Sequence, residues 1–471
     1  MSQRNESRFA RTRACSFALA VTFGLLGAAS AMAETAADAP KAIDKAASTL
    51  ESLKELDGKA PARRSLNIQS WSTAEGARVL FVEAHELPMF DMRLLFAAGS
   101  SQDGANPGIA LVTNAMLNEG VKGKNVSAIA EGFEGLGADF GNGSYRDMAI
   151  ASLRSLSAAD KREPALKLFA EVVGKPTFPA DSLARIKNQL LASFEYQKQN
   201  PGKLAGDELF KRLYGDHPYA HPSMGTAKSI APLTLAQLKA FHAKAYAAGN
   251  AVIALAGDLT RAEAEAVASQ VSAALPKGPA LAQTVAPTEP KPSETHIEFP
   301  SKQTHLMLAE LGITRGDPEY AALSLGNSIL GGGGFGSRLM TEVREKRGLT
   351  YGVSSGFTPM QAQGPFMISL QTRAELSENT LKLVKDITRD FLANGPTQKE
   401  LDDAKRELAG SFPLATASNA AIVGQLGAVG FYNLPLTYLE DFMTQSQSVT
   451  VEQIKTVMNK HLDADKLVIV T

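Results

Sequence analysis

The 471-residue sequence holds a single cysteine, Cys15, and only seven histidines. Cys15 sits at the start of the apolar run "SFALAVTFGLLGAAS", inside a segment expected to be removed, so the body of the protein has no thiol. A cysteine nucleophile, a thiolate metal site and a disulfide framework are thereby excluded, and a thiol-free chain suits an oxidising compartment. None of the histidines, His85, His217, His221, His242, His296, His305 and His461, stands in HExxH or HxxEH. Those helical spacings bring two imidazoles and a carboxylate to one face around a metal. His217 and His221 in "HPYAHP" are four apart, but Pro218 and Pro222 oppose a helix, so they are expected to cap or pack within a loop. A surplus of one charge is also missing: 48 Lys and Arg face 49 Asp and Glu, which gives no footprint for nucleic acid. After the first 35 residues no apolar run approaches the ~20 residues that span a bilayer, so no stable membrane insertion is expected.

The N-terminus has its own pattern. Arg4, Arg8, Arg11 and Arg13 precede the apolar run, which ends in "AMA" before Glu34. This reads as a signal peptide over residues 1–33, and an exported, periplasmic protein is expected. Those residues carry four arginines and one glutamate, so their removal takes the formal net charge from −1 to −4. Residues 34–63 are rich in Ala and Lys and poor in large apolar groups, as in a flexible leader.

From residue 64 onward, strand-like and helix-like stretches alternate irregularly, the pattern of an α+β layer architecture. "RVLFVEAHELPMFDMRLLFAAGS" contains two strand-like runs broken at Glu86, Leu87 and Pro88, which predicts adjacent antiparallel strands. "GIALVTNAMLNEG" predicts a helix between Pro107 and Gly120, yet carries no side chain able to do chemistry. Residues 275–295 hold five prolines and form the expected linker between an N-terminal domain, 64–274, and a C-terminal domain, 296–471. The two sides resemble one another. "ALKLFAEVVGKPTFPADSLARIKNQLLASF" matches "TLKLVKDITRDFLANGPTQKELDDAKRELAGSF" in apolar positions, an interrupting proline and a closing Ser-Phe. A repeat of that length means duplicated domains.

In the second half, "ILGGGGFGSRL" lacks the Lys-Ser/Thr ending of a phosphate loop, so its glycines point instead to a hinge or to backbone exposed to a peptide. In "TEVREKRGLTYGV" a basic helix is expected to end at Gly348, with a strand starting near Tyr351. On these residues alone, Arg344 and Tyr351 either face one cleft or are a solvated helix end followed by a packed tyrosine.

With three blocks in order, "LPMFDMRLLFAAGSSQD…GIALVTNAMLNEG", "HPYAHPSMGTAKSIAPLTLAQLKAFHAKAYAAGNAVIALAGDL" and "NSILGGGGFGSRLMTEVREKRGLTYGV", the chain resembles the pitrilysin or insulinase family of zinc peptidases, the inverzincins. The likeness is to half-length members and covers nearly all of residues 64–471. It implies two homologous domains, each an antiparallel-rich sheet with helices packed on it, forming half of a peptidase clamshell. Active members carry HxxEH in the opening helix, where this chain has Leu111, Asn114 and Ala115. The family's third ligand falls near Ala192 and Ser193, with Glu195 one turn away, so no metal is expected here. The family's Arg and Tyr, seven residues apart, match Arg344 and Tyr351, and the resemblance makes them hydrogen-bond donors to a substrate carbonyl.

The resemblance therefore implies a non-zinc, transition-state-stabilising subunit of a heterodimeric metallopeptidase, inactive alone. Zinc and HxxEH would come from a homologous partner, and a peptide would be the substrate. The peptide is expected to bind along an edge at Phe140, Gly141 and Asn142 and beside Gly332, Gly333 and Gly334. The alternative is a non-enzymatic peptide-binding or scaffold protein of the same family.

Overall fold

A computed structural model describes residues 65–471; the signal peptide and leader expectations lie outside the described residues. In the first half, β1 (Gln69–Ser72), β2 (Arg78–Glu83) and β3 (Met89–Phe96) lead to helix α1 (Ile109–Ala115). The short pair β4 (Gly120–Val121) and β5 (Lys124–Asn125) opens α2 (Val126–Glu134), and the hairpin β6 (Asp139–Ser144) and β7 (Ala149–Leu156) follows. Next come α3 (Ala159–Gly174), α4 (Ala180–Gln197), α5 (Pro201–Tyr214), α6 (Leu235–Ala245), β8 (Ala251–Gly257) and α7 (Arg261–Ala274). The second half runs β9 (Ser293–Thr295), β10 (Gln303–Leu311), α8 (Tyr320–Asn327), β11 (Val353–Phe357) and β12 (Pro365–Arg373). It closes with α9 (Ser377–Asn394), α10 (Gln398–Ser411), α11 (Asn419–Phe431), α12 (Val451–His461) and β13 (Val468–Val470).

Local sequence explains many of these boundaries. The hydroxyls of Thr234, Thr260, Thr397 and Thr450 each accept the backbone N–H three residues on, and their own backbone N–H groups donate to the side chains of Gln237, Glu263, Glu400 and Gln453, starting α6, α7, α10 and α12. Strand β7 alternates, with Ala149, Ala151, Leu153 and Ser155 turned inward.

The duplication is visible in the strand order. The first sheet runs β1-β2-β8-β3-β7-β6 and the second β11-β12-β10-β13-β9. Reversed, the second gives β9-β13-β10-β12-β11, matching β2-β8-β3-β7-β6, and in both series only the first pair is parallel. The fold is thus α+β, two like units of sheet and helices. One sequence expectation fails: β2 and β3 are not neighbours, because β8 lies between them, parallel to β2 and antiparallel to β3. The reason is that β8, "AVIALAG", is buried at every position and needs a strand on each side.

Helices α3 and α7 cover one face of the first sheet, with Phe169, Val173, Val267 and Val271 packed on Phe81, Phe90 and Leu255. The other face is covered from the second half: Ile422, Val423, Leu426 and Val429 of α11 pack on Leu80, Leu95, Val252 and Ala254. Reciprocally, Ala205, Leu209 and Leu213 of α5 pack on Ala309, Val468 and Val470 of the second sheet. Each sheet is therefore completed by a helix of the other half.

The segment between α7 and β9 contains no regular element but is fastened along its length. Pro276 and Gly278 accept hydrogen bonds from Ala248 and Gly249, and the Thr284 amide donates to Gln361 Oε1 at 3.1 Å. The last three residues of the expected linker 275–295 are β9 itself, a strand of the second sheet. Among the described residues no single helix is long and apolar enough to cross a membrane.

Candidate functional site

Helix α1, where the resemblance places the HxxEH motif, is a packing helix. Val112 and Met116 pack with Phe178, Leu183 and Ile186. Asn114 is 2% exposed and donates to the Ile150 carbonyl at 3.3 Å and to the Tyr246 hydroxyl at 3.2 Å. Its own carbonyl accepts from Asn142 Nδ2 at 2.7 Å. Leu111 and Ala115 are alkyl groups without a lone pair, Ala192 is exposed, and Glu195 points to solvent, paired with Lys198 at 2.7 Å. This set does not fit a zinc ion.

Elsewhere among the described residues, Asp317, Glu319 and His461 come close enough to share an ion. Glu319 already accepts from Lys460 Nζ at 2.7 Å and lies 2.6 Å from His461 Nε2, a tie between α12 and the start of α8. His217 and His221 pack in a loop, as expected. His217 Nε2 meets the Val285 carbonyl at 2.7 Å, its Nδ1 accepts from the Tyr219 amide, and His221 Nδ1 lies 3.1 Å from the Pro222 carbonyl.

Edge residues Phe140, Gly141 and Asn142 lie on β6, which pairs only with β7 within its sheet. Two of their side chains are engaged within the fold: the Phe140 ring stacks on Phe133 at 5.4 Å and lies tilted 5.9 Å from Phe169, and Asn142 donates to the Asn114 carbonyl. What β6 offers is backbone donors and acceptors.

The glycine run also has a packing role. A Cβ at Gly332 would stand 2.5 Å from Asn327 Nδ2, and one at Gly333 would stand 2.7 Å from the Ser328 carbonyl. Gly334 has φ +59° and open space around it. The chain here winds as π-helical turns over Ser328–Gly332 and again over Met340–Glu345. Between them Arg338 forms a two-pronged ion pair with Glu400, at 2.7 and 2.8 Å, and donates to the Gly395 carbonyl at 3.0 Å.

Arg344 lies in the second of these turns. Gly348, at φ +60°, ends it, and a short loop carries Tyr351 before β11. Thr372 Oγ1 donates to the Leu349 carbonyl at 2.6 Å, holding that loop against the end of β12. Arg344 and Tyr351 line one cavity of about 960 Å³. Tyr351 is 95% exposed, and the Arg344 guanidinium lies over the Phe335 ring, 4.6 Å from its centre. Among the described residues neither side chain has a hydrogen-bond or carboxylate partner, so both donor sets are free for a ligand. The cavity brings these two together but not with Gly332, Gly333 and Gly334 or with β6. It adds residues that motif reading missed, Gln303, His305, Gln371 and Arg373. They are alternate positions on β10 and β12, and that alternation was the available signal.

Comparison with known proteins gives the lineage. The model of insulinase, peptidase family M16, matches residues 78–227, and the model of the peptidase M16 inactive domain matches residues 232–408. A peptidase M16 inactive domain from Pseudomonas fluorescens is 80% identical, with a TM-score of 0.85 over 86% of this chain and 98% of that one. A Helicobacter pylori protein named non-peptidase homolog YmxG is 29% identical over 395 residues, 83% of this chain and 90% of that relative. The periplasmic protease PqqL of Escherichia coli, 15% identical, shares the fold at a TM-score of 0.71; the match covers 88% of this chain and 46% of that one. The chain belongs to peptidase family M16, the insulinase family, as a member whose metal-site helix is inactive.

Proposed function

We propose that this chain is the non-zinc subunit of an exported, periplasmic heterodimeric metallopeptidase, holding a peptide or unfolded segment and donating hydrogen bonds to its scissile carbonyl. A homologous partner bearing HxxEH would hold the zinc. In this chain the Arg344 guanidinium and the Tyr351 hydroxyl donate to the carbonyl oxygen as negative charge gathers on it. The observation that carries the reading is their pairing: two unpartnered donors at one open cavity, in a protein whose metal helix offers no ligand. Each oxyanion donor of this kind is worth about 10²–10³ in turnover. The edge of β6 is the proposed backbone track for the peptide, and the periplasmic location of one structural neighbour supports export.

A peptidase assay of this chain alone, of an HxxEH partner alone and of the mixture tests the reading. Turnover is expected only in the mixture, and to fall about 10²-fold or more with Arg344→Ala and with Tyr351→Phe. A mixture whose turnover ignores both substitutions overturns it. The name of the Helicobacter pylori relative favours a second reading, a peptide-binding protein with no part in cleavage. That reading wins if peptides bind and no mixture cleaves them.

A further inference from the structure

The cavity beside Arg344 and Tyr351 has a one-sided lining. It contains two guanidinium groups, Arg344 and Arg373, and no aspartate or glutamate. Arg373 is the last residue of β12, opposite Gln303 of β10; Gln371 stands opposite His305. Alternate strand positions share a face, so Gln303, His305, Gln371 and Arg373 project to the same side of the sheet. The bond from Thr372 to Leu349 keeps this end of β12 against the loop carrying Tyr351. Arg373 is close to uncompensated: its nearest carboxylate, Glu375, is 3.7 Å away, and both side chains are about two-thirds exposed, 65% and 66%. Such a pair holds its members weakly.

We propose that this cavity selects peptides bearing a carboxylate, which Arg373 receives on its planar donor fork while Gln303 and Gln371 hydrogen-bond the neighbouring peptide groups. Guanidinium matches carboxylate geometry with two parallel N–H donors, and the neighbouring acidic side chain, Glu375, holds it only weakly. The carboxylate comes either from an Asp or Glu side chain or from the peptide's C-terminus. This deepens the proposed function, since it rests on the cavity being the peptide site, but it needs neither the partner subunit nor turnover. His305 is half-buried, and burial pushes its pKa below the ordinary histidine range. The fixed attracting charge is therefore that of the arginines.

The test uses the lone full chain and four fluorescent ten-residue peptides, each with a free or an amidated C-terminus and with or without one central glutamate. Anisotropy titrations at low salt are expected to give about ten-fold tighter binding for carboxylate-bearing peptides than for the amidated, glutamate-free one. Which of the two singly charged peptides gains identifies the source of the carboxylate. Arg373→Gln should erase the difference and Arg373→Lys should keep part of it; the residue is exposed, and circular dichroism checks that the variants fold. Equal binding of all four peptides, no binding of any, or unchanged selectivity in Arg373→Gln overturns the proposal. A failed peptidase assay with intact selectivity would instead overturn the heterodimer reading alone.

Discussion

Asn114 and Tyr246 meet at 3.2 Å, the side-chain amide donating to the phenolic oxygen in a space closed to solvent. By the family resemblance, Asn114 stands at the glutamate position of HxxEH, and burial raises the Tyr246 pKa well above the ordinary phenol range. Tyr246 thus remains a neutral hydroxyl and brings no positive charge to the pocket. Asn114→Glu should therefore not restore a metal site. It is expected to destabilise the fold by about 3 kcal/mol at neutral pH, since an unpaired charge would be buried. The new carboxyl would have a raised pKa, so the loss should grow as pH rises from 5 to 8. Thermal melts at the two pH values, with zinc titration by calorimetry, check both points.

The exchange of α5 and α11 between the halves makes their separation costly. A Cβ at Gly430 would stand 2.5 Å from Val252 Cγ1 and 2.7 Å from Leu80 Cδ1, so α11 lies against the first sheet with no room for a methyl. Gly430→Ala is expected to cost about 1–3 kcal/mol through overpacking. Gly410→Ala, at an exposed position of α10 with open space around its Cβ, should instead stabilise by about 0.5–1 kcal/mol. Urea unfolding of both variants gives the signs, and probes in the two sheets should report one transition.

The periodicity of the helices and the internal repeat were readable in the sequence, the first because it depends on residues near one another in the chain and the second because two stretches match position by position. The position of β8 was not: its central place follows from an unbroken apolar run seeking two neighbours, and the chain between β3 and β8 says nothing about where it returns. The same limit hid the polar knot between the halves. Asp147 accepts from the hydroxyl of Tyr219, from the amide of Gln361 at 2.7 Å and from the hydroxyl of Tyr432 at 3.4 Å, partners far apart in sequence. At the candidate site, Arg344 and Tyr351 came from the resemblance to the insulinase family, whose Arg and Tyr they match, and not from their own residues. Arg373 was missed because a single arginine on a strand has no motif.

Burial of two carboxyls sets the pH dependence toward neutrality. Asp103 accepts the amides of Gly108 and Ala110 at 2.7 and 2.9 Å, holding the start of α1, and burial outweighs those bonds to push its pKa up to about 7. Burial likewise pushes Glu310, which accepts the Asp463 amide at 2.9 Å, to about 7. A raised carboxyl pKa means that the native state holds the proton more tightly than the unfolded chain, so stability falls as pH rises from about 4 to 7. The double variant Asp103→Asn, Glu310→Gln, which keeps both groups neutral, should flatten that slope by roughly 1–3 kcal/mol across the window. Urea midpoints at half-unit steps from pH 4 to 8 measure it. A slope equal to that of the unsubstituted protein would refute the assignment.

Below that window the sign reverses, and the pair governing it lies at the glycine-rich segment. The Arg338 guanidinium beside Glu400, with the Thr397 cap, holds the glutamate's pKa down to about 2. A depressed carboxylate pKa contributes stability in full above the ordinary value of 4.5, and that contribution is lost as pH falls toward 2. Glu400→Gln removes both the ion pair and the charged cap. At pH 7 it should cost about 1–2 kcal/mol, a figure kept small because the pair is partly solvated, and nothing further should be lost at pH 2. Because Arg338 precedes the turn carrying Arg344, the same variant should raise amide hydrogen exchange across residues 332–345 at pH 7 while leaving β8 unchanged. Exchange that rises equally in both places would mean that Glu400 supports the whole fold rather than this segment.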